Sequence, residues 1–130
     1  MAPPDAAGVA VDGDGRLAGV RPRPRRGDVF WVALDPTRGT EIRKTRPAVI
    51  VSNDSCNTHG SRVVVLPITS NVSSLYPGEA AIEVKGKPAR ALGDQIRSID
   101  KSRLRSRLGR LNQEELEAVD DALRVTLGLP

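Results

Sequence analysis

The 130-residue sequence predicts a mainly β protein with some α, a small and strongly bent barrel covered by one C-terminal helix. Three observations point there. Short apolar and β-branched runs recur along the chain, separated by turns rich in Gly and Pro. The first run is apolar on both faces, Val29, Trp31 and Ala33 against Phe30, Val32 and Leu34, which suits a strand enclosed by protein on each side. Only after Asn112 do apolar residues recur at helical spacing.

The strands are expected at Val29 to Leu34, Ala48 to Ser52, Arg62 to Thr69, Ala80 to Val84, Ala89 to Ile99 with an interruption, and Leu108 to Leu111. Pro67 cannot donate a ladder hydrogen bond, so it marks an edge or a bulge, and the bend re-aims Thr69. A further helical turn is expected around Ser102 to Arg107. Asn112 is a good N-cap with Glu115 at the third helical position, and Leu116, Val119, Leu123 and Leu127 supply the apolar stripe. Glu114, Glu115 and Glu117 lie near the positive end of the helix dipole. Gly128 and Pro130 stop the helix.

Residues 1–24 are rich in Ala, Gly, Pro and Asp and hold no aromatic side chain. Such a composition cannot repay the entropy of folding, so a disordered N-terminal extension is expected, with the folded domain at residues 25–130. A chain of this length can bury a sizeable core without disulfides. Cys56 has no partner cysteine, and with only His59 nearby it cannot build a structural zinc site. No apolar stretch approaches the roughly 20 residues of a membrane-spanning helix, and no apolar signal core begins the chain, so a cytoplasmic protein is expected.

The formal net charge is +4, unevenly spread. Between Arg25 and Leu111 there are 16 Lys and Arg against 8 Asp and Glu, whereas from Asn112 onward there are five acids and one Arg. A basic body and an acidic tail suit a polyanionic ligand, nucleic acid above all, although a soluble protein with a mixed charged surface has the same totals.

Chemistry-bearing residues concentrate between the first two strands. Asp35-Pro36 opens a segment carrying Arg38, Glu41, Arg43, Lys44 and Arg46, which Pro47 fixes at the start of the second strand. One histidine excludes a two-histidine ribonuclease mechanism within a subunit, and no carboxylate cluster suggests a two-metal nuclease. RNA, however, carries its own nucleophile, the 2′-hydroxyl, and cations and hydroxyls can orient it and neutralise the charge that builds on phosphorus. Arg46 has the planar fork to hold two phosphate oxygens, and Thr69 has a hydroxyl to donate. Taken alone, Arg46 also reads as a surface ion-pair partner of Glu41 or Asp54, and Thr69 as an ordinary strand threonine. Arg26-Gly27-Asp28 spells an adhesion tripeptide but leads straight into a strand, and Cys56 has no catalytic partner in sequence.

The run Arg26 to Glu41, followed by Arg46-Pro47-Ala48-Val49-Ile50-Val51-Ser52-Asn53-Asp54, Pro67-Ile68-Thr69-Ser70 and Gln95-Ile96-Arg97-Ser98-Ile99-Asp100, resembles the MazF/PemK family of toxin endoribonucleases from type II toxin–antitoxin modules. The resemblance implies an SH3-like, strongly bent barrel of the CcdB/PemK kind. It implies that Arg46 and Thr69 form the catalytic pair of a metal-independent, cofactor-free, sequence-specific mRNA interferase that leaves 2′,3′-cyclic phosphate and 5′-hydroxyl ends. Glu41 then either serves as the base for the 2′-hydroxyl or, as we rank first, orients Arg46 or Arg43. Arg38, Thr40, Arg43, Lys44 and Arg97 are expected to contact the RNA, with Asn53, Asn57 and Gln95 offering hydrogen bonds to base edges. Asp94 stands where a glutamate is common. The implied partners are single-stranded RNA, an acidic MazE-like antitoxin and a second copy of the chain. Two other functions share this background: a CcdB-like toxin that binds gyrase without enzymatic chemistry, and a non-catalytic RNA-binding barrel.

Overall fold

The computed structural model describes residues 23–34 and 45–130. Within them the order is β1 (Asp28–Ala33), β2 (Thr45–Ile50), α1 (Asp54–His59), β3 (Arg62–Thr69), β4 (Glu79–Val84), β5 (Lys87–Leu92), β6 (Arg97–Asp100), β7 (Leu104–Arg110) and α2 (Gln113–Leu127). Single 3-10 turns at Gly93–Gln95 and Lys101–Arg103 precede β6 and β7. The strands run antiparallel in the order β4-β5-β3-β2-β1-β7, with β6 also paired to β3, and the sheet curls into a half-barrel.

The two apolar faces of β1 separate two cores. Phe30, Val32 and Leu34 join Ala48, Ile50, Val63, Val65, Ile99 and Leu104 on one side. Val29 and Trp31 join Val49, Leu66 and Ile68 on the other, where β4, β5 and α2 close over them through Ile82, Ala91, Val119 and Ala122. A strand buried on both faces contributes twice, since each large apolar side chain removed from water is worth about 1.5–3 kcal/mol.

Pro67 lies where β3 changes partner. Arg62 to Val65 pair with β6 on one flank, and Ile68 and Thr69 pair with β5; Leu66 and Pro67 pair with neither, although both face β2. The missing N–H therefore falls at the corner between barrel and hairpin, where no ladder bond is needed on that flank.

β7 departs from the sequence expectation. The helical turn expected around Ser102 to Arg107 is only the 3-10 turn Lys101–Arg103, which Asp100 caps by accepting from Ser102 N–H at 2.8 Å. From Leu104 onward burial alternates, as strand geometry requires. Two register shifts against β1 bend this strand, and they let Leu104 and Leu108, four residues apart, enter different cores.

α2 begins with a complete capping box: Glu115 N–H donates to Asn112 Oδ1 at 2.8 Å and Asn112 N–H donates to Glu115 Oε1 at 2.9 Å. It ends at Gly128, whose φ of 69° is left-handed. The helix is tied to the sheet at Glu83, whose N–H donates to Glu115 Oε2 at 2.6 Å, and by an Arg26–Asp120 ion pair. Asp28 is 1% exposed, so the Arg-Gly-Asp tripeptide is not displayed for recognition. The expected extension, apart from Arg23 and Pro24, lies outside the described residues.

Candidate active site

Arg46 and Thr69 come from different strands and reach one place. The β2–β3 ladder pairs Ala48 with Pro67, Val49 with Leu66 and Ile50 with Val65. Continuing that register by two residues sets Arg46 against Thr69, and both side chains line one cleft of about 330 Å³. Gln95 and Arg97 line it from the segment leading into β6, and Leu34, Pro67, Ile68 and Leu92 complete its wall. Four of the residues expected from sequence are thus brought together: Arg46, Thr69, Gln95 and Arg97.

Local chemistry explains each position. Pro47 holds the preceding Arg46 extended, and Arg46 stays exposed opposite Val32 of β1. Thr69 ends β3, and its Oγ1 accepts from Asn71 N–H at 3.2 Å. The hydroxyl keeps its proton, and one further lone pair, to offer a ligand. Gln95 rides on the 3-10 turn whose first residue, Gly93, donates to Gly78 O at 2.9 Å. A Cβ at Gly93 would lie 2.3 Å from that same oxygen, so only glycine permits this close approach. Arg97 is half-buried opposite Val65.

The cleft is cationic. Among the described residues it carries two guanidiniums and no carboxylate along its lining. Arginine remains charged under all ordinary conditions and presents a rigid set of donors. In such a corner a phosphate oxygen can meet donors from two directions.

Other expected residues are used differently. Asn53 is the N-cap of α1, its Oδ1 accepting from Cys56 N–H at 2.8 Å. Asn57 is 1% exposed, and its amide donates to Ser52 O at 2.8 Å and Asp54 Oδ1 at 3.2 Å while its own oxygen bonds the Ser52 hydroxyl. Asn57 therefore has no free polar edge for a base, which corrects the expectation; it locks α1 onto the sheet. Asp54 is held below the ordinary carboxylate range, first by the Arg26 backbone N–H at 2.8 Å and then by the Asn57 amide. Cys56 and His59 are exposed on the same short helix. Arg38, Thr40, Glu41, Arg43 and Lys44 lie outside the described residues.

Sequence reasoning did not foresee Leu34 and Leu92 as cleft wall. Leu34 and Leu92 read as ordinary strand residues, and nothing in their neighbourhoods signals a cleft.

This geometry defines a small half-barrel protein with a cationic cleft at its corner. The chain belongs to the family of PemK-like, MazF-like toxins of type II toxin–antitoxin systems, whose profile matches residues 25–127. It is 39% identical over 114 residues to Endoribonuclease MazF9 of Mycobacterium tuberculosis, spanning 81% of this chain and 97% of that protein. Among solved structures, an endoribonuclease from Mycobacterial species superposes with a TM-score of 0.70 at 26% identity, covering 84% of this chain and 95% of that one. MazE–MazF from Deinococcus radiodurans gives a TM-score of 0.70 at 27% identity over 84% of this chain and 100% of the other. A further mycobacterial endoribonuclease, solved with its cognate antitoxin, matches with a TM-score of 0.67 at 28% identity, over 83% of this chain and 96% of that one.

Proposed function

We propose that this MazF-like toxin endoribonuclease cleaves single-stranded RNA at the Arg46–Thr69 cleft by attack of a 2′-hydroxyl on the adjacent phosphate, with no metal in the reaction. The observation that carries this reading is the convergence of Arg46 and Thr69, from two strands, on one cleft that Arg97 and Gln95 also line. The 2′-oxygen bonds to phosphorus as the bond to the 5′-oxygen breaks. The proton leaves the 2′-hydroxyl and another arrives at the departing 5′-oxygen, giving a 2′,3′-cyclic phosphate and a 5′-hydroxyl. Arg46 neutralises the charge that grows on the phosphoryl oxygens and donates toward the leaving oxygen; Thr69 orients the reacting group. The substrate brings its own nucleophile, so no metal-bound hydroxide is required. Arg97 and Gln95 extend the contact along the strand, one to phosphate and one to a base edge, with Arg38, Thr40, Arg43 and Lys44 continuing it and Glu41 orienting the arginines or accepting the 2′ proton.

The same basic surface takes an acidic antitoxin, and the relatives from Mycobacterial species and Deinococcus radiodurans solved with antitoxins support this partner. The working unit is a homodimer in the cytoplasm; among the described residues no helix is long and apolar enough to cross a membrane. The test is single-turnover cleavage of single-stranded RNA in excess EDTA. Arg46→Lys keeps the charge and loses the fork, so it is expected to fold, bind RNA and lose on the order of 10² in rate, as when one donor leaves a preorganised anion site. Thr69→Ala is expected to lose activity in the same step. Wild-type cleavage that vanishes in EDTA and returns with a divalent ion would overturn the mechanism, and gyrase inhibition or RNA binding without cleavage would replace it.

A further inference from the structure

Thr69 stands opposite Arg90 in the β3–β5 ladder, and hydrogen bonds connect them as well as register. The amide that donates to Thr69 Oγ1 belongs to Asn71, and the Asn71 carbonyl accepts from Arg90 Nε at 2.5 Å. The other arm of Arg90 reaches Glu79, Nη1 to Oε1 at 2.6 Å, and that carboxylate oxygen also accepts from Tyr76 N–H at 3.0 Å. The two side chains are only 12% and 11% exposed, whereas residues 70–77 are exposed throughout. One enclosed ion pair thus holds both ends of an open loop, at Asn71 and at Tyr76.

We infer that Arg90, braced by Glu79, is a positioning residue that sets the direction of the Thr69 hydroxyl in the cleft, an inference that rests on the role of Thr69 proposed above. A threonine oxygen rotates among staggered positions unless a neighbour engages it. Here the engaging group is a turn amide, and Arg90 grips the carbonyl side of the same residue. An exposed pair of these residues would contribute little and reach nothing in the cleft. This one is enclosed and bonded to the turn whose amide engages the Thr69 hydroxyl. The Glu79 carboxyl is held below its ordinary value, first by the Tyr76 amide and also by Arg90, so the brace stays charged at neutral pH. Lysine at 90 would keep the charge, but an ammonium on a flexible stem does not hold Glu79 and Asn71 in one rigid fork.

The experiment is a double-mutant cycle of Arg90→Lys and Thr69→Ala on a single-stranded RNA that the wild-type protein cleaves, with the cleavage step, RNA affinity and melting temperature measured separately. Arg90→Lys is expected to slow the cleavage step on the order of 10-fold or more, as misplacement of a reacting group does, while RNA affinity stays within about twofold. In the Thr69→Ala background the same change is expected to cost nothing further. A merely structural role would lower melting and affinity and would cost as much in both backgrounds. The split between rate and affinity decides the matter even where Thr69→Ala is too slow to time. Should Arg90→Lys fail to fold, Glu79→Gln carries the same expectation, because it keeps an acceptor for the Tyr76 amide and loses the charge that braces Arg90. Wild-type cleavage by Arg90→Lys, or a loss explained by affinity or melting, overturns the inference. Wild-type cleavage by Thr69→Ala overturns instead the assignment of Thr69 on which it stands.

Discussion

Asp28 and Arg110 face one another across the β1–β7 ladder, and the Arg110 guanidinium donates to Asp28 Oδ1 at 3.0 Å. Arg107 reaches the same oxygen at 3.3 Å, and Arg25 N–H donates to Oδ2 at 2.9 Å. The carboxylate is buried while both guanidiniums are 40–45% exposed, so removing Asp28 returns its partners to water rather than stranding them. Asp28→Ala is therefore expected to cost about 1–3 kcal/mol, less than breaking a pair buried on both sides. Urea denaturation measures this loss, and cleavage by the folded fraction should be retained, since Asp28 is not part of the cleft.

Gly93→Ala is expected to destabilise the protein by about 1–3 kcal/mol, because the new methyl would meet the Gly78 carbonyl and the Thr126 hydroxyl at 2.3 and 2.8 Å. The turn carrying Gln95 must shift to relieve it, so RNA affinity falls too. Gly109→Ala is the control: a Cβ there meets nothing within 4 Å. Thermal melts and RNA titration of the two variants should separate them clearly.

Acid should destabilise this protein in part through Asp54 and Glu79. Both carboxyls are held below their ordinary values of 3.8 and 4.5, Asp54 chiefly by the Arg26 amide and Glu79 chiefly by the Tyr76 amide. A depressed group binds its proton more tightly in the unfolded chain, so its stabilisation is complete above the unfolded value and is lost as pH falls through the folded one. The melting temperature is expected to fall as pH drops below about 4.5. Glu79→Gln should flatten part of that decline; an unchanged slope would remove Glu79 from the account.

RNA and an acidic antitoxin are expected to compete, since one basic surface cannot neutralise two polyanions at once. Inhibition of cleavage by the cognate antitoxin should weaken as salt rises from about 0.1 to 1 M, where screening shortens from about 10 to 3 Å. Simultaneous tight binding of both ligands, measured by RNA titration at saturating antitoxin, would contradict this.

Much of the framework was legible because it depends on local rules. The bounds of β3 follow from the β-branched residues Val63 to Val65 and Ile68-Thr69 on either side of Leu66-Pro67, the start of α2 from Asn112 and Glu115, and the double burial of β1 from its two apolar faces. The strand period of β7 is present in sequence, Leu104, Ser106 and Leu108 alternating with arginines, but only two of those inward positions are apolar, too few to separate a short strand from a helical turn. α1 has six residues, too few for a periodic signal, so nothing in sequence shows that Asn57 is buried beneath it. The cleft is a different matter. Arg46, Thr69 and the Gln95–Arg97 segment lie far apart in sequence, and what joins them is strand register; Arg46 and Thr69 stand out by their chemistry, but only family resemblance ties them to one site.

The change of partner in β3 splits the cleft's residues between two sets of strand pairings. Arg46 and Arg97 belong to strands of the barrel, whereas Thr69 lies past Pro67, where only Ile68 and Thr69 pair with the hairpin. Fraying at that short junction would part the hydroxyl from the arginines while the barrel remained folded. Activity should consequently fade at temperatures where most amides are still protected from exchange, making catalysis a more sensitive reporter of local opening than any global probe.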